Sequence, residues 1–286
     1  LHYQGNFDEA LEAFHQASQI MPGLADAWFN EAITRLLLGE YSLGWQLYEW
    51  RWQTKAFAFH GHEEPLWDGS PLTGKSILLH CEQGLGDNIQ FIRYVGWVKE
   101  AGGTVVLYCP QPLRRLFATV PGIDRMIDRM EEKPLCTFQA PLLSLPWLLA
   151  DRWDTIPAPV PYLRGDSGLV AMFHDELARY PGLKVGIVWR GNPTHRNDWS
   201  RSMDPAVLAV LNKVSGITLI NLQKDSTAEE RGVFNDGLVD MSHRLHDLAD
   251  TAAIIANLDV VVAVDTAVLH LAGALGCRTW ALLAFV

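Results

Sequence analysis

No apolar run in this chain is long enough to cross a bilayer, so no transmembrane segment is expected. No basic start followed by an apolar stretch marks a secretory leader. Basic residues are in the minority, with 23 Lys and Arg against 33 Asp and Glu and a formal net charge of −10. That deficit argues against nonspecific binding to nucleic acid or anionic membrane, both of which need a basic surface. Cysteine is scarce: Cys81, Cys109, Cys136 and Cys277 form no C-x-x-C pair. They read as reduced thiols packed in a cytoplasmic protein. A G-x-S-x-G nucleophile elbow is absent, as is the D-x-D carboxylate pair that would hold a metal–diphosphate.

What is present is enough apolar material (49% of 286 residues) for two domains with sizeable cores. The first fifty residues carry a repeat. Gly5, Phe7, Ala10, Phe14 and Ala17 are answered 34 residues later by Gly39, Tyr41, Gly44, Tyr48 and Arg51, and only Arg51 differs in kind. A 34-residue period with small and aromatic residues at these offsets is the tetratricopeptide signature. Because fewer than three repeats are seldom stable alone, either further repeats precede Leu1 or these helices lean on the next domain through Trp45, Tyr48, Trp50 and Trp52.

After a Gly- and Pro-bearing loop over 54–74, strands and helices alternate. Strands are predicted at 76–81, 104–109, 125–128 and 137–140, with helices at 88–101 and 112–120. Pro157, Pro159 and Pro161 mark a stiff linker over 154–161 and a domain boundary. A second series follows: helices at 168–180, 205–214, 245–257 and 266–275, and strands at 184–189, 217–223, 259–264 and 279–283. This βαβ rhythm predicts two α/β domains with parallel sheets, at 75–156 and 162–286, preceded by the helical segment 1–55. The last apolar strand lacks a covering helix, so a truncated carboxyl end is expected.

Two strand-to-helix turns place carboxylates where open α/β sheets bind ligands, outside the carboxyl ends of strands. In the first, Gly84-Leu85-Gly86-Asp87 is a tight glycine turn that lets a ligand approach the backbone. A dinucleotide fingerprint fails there because Ile89 replaces the third glycine. Asp87 has two readings: a helix-terminus carboxylate stabilised by the dipole, or a general base taking a proton from an acceptor hydroxyl. In the second turn, Asp265 or Thr266 can cap the helix, or the free amides of Thr266, Ala267 and Val268 can receive a phosphate, with His270 one turn on. Between them, the polar loop after strand 184–189 carries Arg190, Arg196 and Arg201, and Lys224 ends strand 217–223. These basic groups suit a diphosphate clamp. Gly69–Ser76 matches the P-loop spelling but precedes a strand, so it reads as a turn. His60-Gly61-His62-Glu63-Glu64 could suggest a metal cluster, yet nothing elsewhere completes it and a solvated loop is the reading.

Taken in order, the repeats, E-Q-G-L-G-D-N-I-Q-F-I-R-Y at 82–94, V-G-I-V-W-R-G-N-P at 185–193, R-S-M at 201–203, L-Q-K at 222–224 and V-D-T-A-V-L-H-L-A-G-A-L-G at 264–276 resemble bacterial tetratricopeptide glycosyltransferases. Their catalytic part is similar to glycosyltransferase family 9, the lipopolysaccharide heptosyltransferases, and the architecture is similar to that of the O-linked N-acetylglucosamine transferases. The resemblance implies a GT-B fold, with the acceptor on the first Rossmann-like domain and a nucleotide-sugar on the second. It also implies metal-independent, inverting transfer with no cofactor. By position, Asp87 matches the family's base. Asp265, Thr266, Ala267 and His270 match its donor-phosphate loop, and Arg201 its donor-facing basic residue. Ala267 stands where heptosyltransferases often have glycine, and their K-R-W-P pattern is not reproduced. The family's chain also continues past the final strand. The expected partners are a nucleotide-sugar donor, a protein or glycan acceptor, and a protein held on the repeats. A noncatalytic repeat scaffold with a degenerate GT-B module remains the alternative, with a sugar-nucleotide epimerase behind it.

Overall fold

The computed structural model describes residues 1–55, 57, 63–150, 159–195 and 197–284. Three helices lead the chain: α1 (Phe7–Ile20), α2 (Ala25–Leu37) and α3 (Tyr41–Tyr48), the last running into a 3₁₀ turn at Glu49–Gln53. Asp8 and Glu9 sit in the first turn of α1, where carboxylates complement the helix dipole. Gly5 and Gly39, each just ahead of a helix, take φ of 78° and 82°, which a residue with a Cβ rarely adopts. Helix α2 packs on both α1 and α3. A Cβ at Gly44 would lie 2.8 Å from Leu36 Cδ2, so the α2–α3 approach needs the small residue. The second repeat-like unit is cut short, since α3 spans only eight residues.

The first α/β lobe comprises β1 (Ser76–His80), α4 (Leu85–Phe91), α5 (Val95–Glu100), β2 (Thr104–Tyr108), α6 (Gln111–Phe117), β3 (Arg125–Ile127), β4 (Phe138–Pro141) and α7 (Leu145–Leu148). The second comprises α8 (Ser167–Leu177), β5 (Leu183–Val188), α9 (Asp198–Arg201), α10 (Pro205–Leu208), β6 (Ile217–Asn221), α11 (Ala228–Gly232), β7 (Leu238–Asp240), α12 (Leu248–Ile255), β8 (Val260–Val264), α13 (Ala267–Ala274) and β9 (Thr279–Leu282). Sheet orders are β3-β2-β1-β4 and β7-β6-β5-β8-β9. Every strand pairing in both sheets is parallel. The architecture is thus GT-B-like, with two parallel sheets.

Side chains alternate to two buried faces, which is why the central strands are mostly apolar, with polar residues such as Ser76, His80 and Lys184 near their ends. Ile77 and Leu79 of β1 enter the largest core, whereas Leu78 packs on the opposite face with Val106 and Ile127. Val261 and Ala263 of β8 enter the large core, and Val262 joins Trp189 and Phe234 behind the sheet. The large core runs continuously through both lobes, because α4 packs on α13 and α6 on α12. Arg115 on α6 reaches Asp247 at 3.0 Å and Asp250 at 3.3 Å, joining the lobes by charge.

Some expectations needed adjustment. The helix predicted over 88–101 begins earlier, at Leu85, and is broken by a 3₁₀ turn at Ile92–Tyr94. The helix predicted over 205–214 tightens into 3₁₀ geometry at Ala209–Lys213. Strand β7 was not anticipated; three half-buried residues offer no period to detect. Most of the linker expected over 154–161 falls outside the described residues. Among the described residues, no helix is long and apolar enough to cross a membrane.

Candidate functional site

Strand order reverses beside β1 in the first sheet and between β5 and β8 in the second, the positions where open α/β sheets form ligand crevices. The two crevices face each other. They merge into one cleft of about 1560 Å³, lined by Glu82, Gln83, Gly84, Gly86 and Asp87 from the first lobe. The second lobe contributes Arg190, His195, Arg201, Lys224, Asp265, Thr266, Ala267 and His270. Trp52, from the 3₁₀ turn after α3, and Phe57, beyond it, line the same cleft.

Asp87 occupies the first turn of α4, and its Oδ2 accepts from the Gly84 amide at 3.0 Å. The helix-terminus reading of this carboxylate therefore describes a contact that exists. A second property coexists with it. Burial pushes the Asp87 carboxyl above its ordinary value, Asp265 adds to the push, and the Gly84 amide and His270 oppose it. A carboxylate held up by burial, at a cleft wall, is suited to accept a proton.

Gly86 explains how Asp87 comes to face the second lobe. A Cβ there would sit 2.7 Å from His270 Cδ2 and 3.5 Å from Ala267 Cα. The glycine turn thus admits the neighbouring helix α13, an approach that a side chain would obstruct. His270 lies 3.7 Å from Asp265 Oδ1, and Asp265 Oδ2 lies 3.9 Å from Arg201. His270 holds the Asp265 carboxyl below its usual range, with help from Arg201 and His195 and against the effect of burial.

Thr266 is the N-cap residue of α13, but its hydroxyl makes no capping bond; Oγ1 is buried without a partner. The first amides of any helix lack intrahelical acceptors. Arg201 Nε is likewise buried without a hydrogen bond, its nearest carboxylate being Asp198 at 3.6 Å. Unmet polar atoms from Thr266 and Arg201 thus accompany a helix amino terminus in the cleft, an arrangement that suits an anion.

Arg190 is placed differently from a free clamp. Its Nε bonds Glu230 at 2.6 Å, one terminal nitrogen bonds Asp225 at 2.8 Å, and the other bonds the Asp225 carbonyl at 2.6 Å. Two carboxylates therefore already neutralise it. Lys224 donates to the His246 carbonyl at 2.7 Å and remains exposed at the rim. Arg196 and the His60–His62 pair lie outside the described residues. Among the described residues, no group of three or more potential metal ligands is assembled.

Several organising residues escaped the sequence reading. Asn88 is buried; it accepts from the Glu82 amide at 3.0 Å and donates to the Glu82 and Gly84 carbonyls at 2.9 and 2.8 Å. Gln223 accepts from the Trp189 and Arg190 amides at 3.3 and 3.1 Å, tying the start of the polar loop to β6. Both are uncharged; they lie within the family-like stretches 82–94 and 222–224, but nothing in the spelling assigns them a structural role. Cys81 and Cys109 follow β1 and β2, and all four cysteines are free. Burial pushes the Cys109 thiol up to about 11 and raises Cys81 as well, keeping both protonated.

No protein-family model matches the chain. It is 29% identical to Protein FlbA of Caulobacter vibrioides over 304 aligned positions, covering 94% of this chain and 50% of FlbA. The chain thus spans about half the length of the curated relative it matches. Among solved structures, a glycosyl transferase family 9 protein from Veillonella parvula superposes with a TM-score of 0.59 at 10% identity, covering 75% of this chain and 83% of that one. The dodecameric iron-containing heptosyltransferase TibC of enterotoxigenic E. coli, bound to ADP-D-β-D-heptose, gives 0.53 at 11% identity, over 74% of this chain and 59% of that one. E. coli ADP-heptose lipopolysaccharide heptosyltransferase II gives 0.51 at 12% identity, over 72% and 84%. These likenesses establish the fold: two α/β lobes arranged as in family 9 glycosyltransferases.

Proposed function

We propose that the chain is the catalytic part of a glycosyltransferase that moves a sugar from a nucleotide-diphosphate donor to an acceptor hydroxyl. One observation carries the reading. Half-buried Asp87 faces Asp265, Thr266 and His270 across a single cleft, at the carboxyl edges of two parallel sheets. The donor diphosphate rests on the amino terminus of α13 and the Thr266 hydroxyl. Arg201 and Lys224 supply positive charge, and His195, Ala267 and His270 shape the pocket. Asp87 takes the acceptor's proton while that oxygen attacks the anomeric carbon from the opposite side. The bond from anomeric carbon to diphosphate oxygen breaks, and its electron pair leaves with the nucleotide. Fixed positive charge steadies that leaving group, so the reading requires no metal and predicts inversion. Gly86 keeps the base turn low enough for the lobes to meet, and Gly84 leaves room for the Asp87 carboxylate. The leading helices are read as the end of a tetratricopeptide array that presents a protein or glycan acceptor, in a cytoplasmic, bacterial setting.

The engagement of Arg190 by Asp225 and Glu230 favours a second reading, a noncatalytic module on a helical scaffold, because it removes one cation from the donor side. Titration calorimetry against ADP, GDP, UDP, CDP and dTDP separates the two. The transferase binds at least one of them, and the scaffold binds none. With a bound nucleotide in hand, Asp87→Ala should keep the fold and the nucleotide yet lose transfer by about 10²–10⁴-fold. Unchanged transfer in the folded variant removes Asp87 as the base.

A further inference from the structure

Arg51 is fully buried, an unusual state for a charged side chain. It leaves the 3₁₀ turn after α3 and grips Glu82 with two bonds, Nε to Oε2 at 3.1 Å and a terminal nitrogen to Oε1 at 2.8 Å. The same guanidinium donates to Glu49 at 2.6 Å and to the Ser144 hydroxyl at 2.8 Å, and lies 4.2 Å over the Trp52 ring. Burial alone would weaken its charge, but Glu49 and Glu82 outweigh that and hold it protonated. Next to Glu82, Gln83 adopts φ of 57°, a left-handed conformation costly for a residue with a Cβ. Its side-chain amide donates to the Tyr48 hydroxyl at 2.9 Å. Gly84 follows, and its amide holds Asp87. Asn88 pins this turn from inside; Arg51 and Tyr48 pin it from outside.

We propose that Arg51 is a positioning residue. Acting through Glu82, and with Tyr48 acting through Gln83, it fixes the turn from which Asp87 enters the cleft, so the helical segment belongs to the working geometry of the site. A plain docking contact between domains could be apolar, and buried ion pairs are poor sources of stability. A two-pronged guanidinium–carboxylate pair instead fixes orientation, and a strained residue persists where its surroundings over-determine it. The inference rests on the reading of Asp87 as the base. Groups acting on Asp87 are Asp265 and His270 from the second lobe and the Gly84 amide from its own turn. On the helical side, Tyr48 interacts electrostatically with Glu82, Asp87 and Arg51.

Tyr48→Phe deletes one hydroxyl and keeps the ring between Phe29 and Trp45. Arg51→Lys keeps the charge but cannot make the two-pronged grip. Both are compared with wild type by melting, ADP, GDP and UDP titration, nucleoside diphosphate release from the matching nucleotide-sugars, and hydrogen exchange over residues 82–88. The expected result is nucleotide affinity within about twofold, because the donor groups lie on the other lobe, with kcat down about tenfold for Tyr48→Phe and about 100-fold for Arg51→Lys. Exchange at 84–87 rises, and the acid limb of kcat/KM moves to lower pH as water reaches Asp87. Unchanged exchange, kcat and acid limb in folded Tyr48→Phe overturn the proposal, even if Arg51→Lys fails to fold. If Asp87→Ala instead retains turnover, it is the base assignment that fails, and altered exchange at 84–87 then still reports the clasp.

Discussion

Gly86→Ala gives a sharp test of how the lobes meet. The added methyl carbon would stand 2.7 Å from His270 Cδ2, so the imidazole must retreat by about 0.8 Å to regain an ordinary carbon contact of about 3.5 Å. Ala267 Cα, at 3.5 Å, is backbone already in van der Waals contact on one side of the methyl. Two stability effects oppose each other. Alanine gains about 0.5–1 kcal/mol over glycine within a helix, and overpacking costs about 1–3 kcal/mol. The expected net loss is about 0–2.5 kcal/mol, a melting shift of a few degrees for a chain of this size. The catalytic effect is larger. His270 holds Asp265 and acts on Asp87 together, and a misplacement of about 1 Å can cost about 100-fold in rate. Folded Gly86→Ala should therefore release nucleoside diphosphate about 10–100-fold more slowly than wild type. Gly96→Ala is the control: exposed in α5, with nothing within 4 Å of its added carbon, it should stabilise slightly and leave the rate alone. Wild-type turnover and nucleotide affinity in folded Gly86→Ala would refute the claim that this contact sets the geometry of the cleft.

Other expectations follow from the same contacts. Burial raises the Asp87 carboxyl, so the folded chain binds that proton more tightly than the unfolded chain, and ionisation costs stability once the pH passes the folded value. Asp87→Asn should therefore melt higher than wild type at neutral pH, by about 0.5–2 kcal/mol, with the advantage fading on acidification; an advantage that grows in acid contradicts the burial argument. Wild-type kcat/KM should have its acid limb above the ordinary aspartate value of about 3.9. Dialysis against EDTA should leave turnover intact, and its loss, restored by a divalent or iron ion, would replace fixed cations with a metal as the leaving-group support. Arg115→Ala breaks a half-exposed inter-lobe ion pair, so melting at low salt should show a cost of about 0–1 kcal/mol that disappears at high salt; a cost unaffected by salt would assign the contact to packing.

The alternating strands and helices were legible in the sequence because buried parallel strands are apolar runs and their lengths fit the βαβ rhythm. Val260–Val264 and Ser76–His80 were plain on that basis. The pairing of G-L-G-D with D-T-x-x-x-H could be anticipated as chemistry, but not the fact that Gly86 makes room for His270, since that contact joins residues 184 positions apart. The fate of Arg190 was hidden for a similar reason: Asp225 and Glu230, its partners, come from the segment after another strand. Arg51 is the instructive case. It was the one position that broke the 34-residue pattern, standing where Ala17 stands in the first unit, and the structure sends it into the wall of the cleft.

The stretch from Pro65 to Trp67 has a consequence for how the molecule comes apart. Trp67 donates to the Gln139 carbonyl at 2.9 Å and Gln139 donates to the Pro65 carbonyl at 3.0 Å, so this stretch zips onto the outer rim of β4. The Arg51 grip ties the end of the leading helices to the turn after β1, and this stretch ties the chain that follows them to β4. Helices held in this way cannot peel off while the sheet survives. They should melt with it as one cooperative block, and a calorimetric scan should show no early shoulder from the first fifty residues.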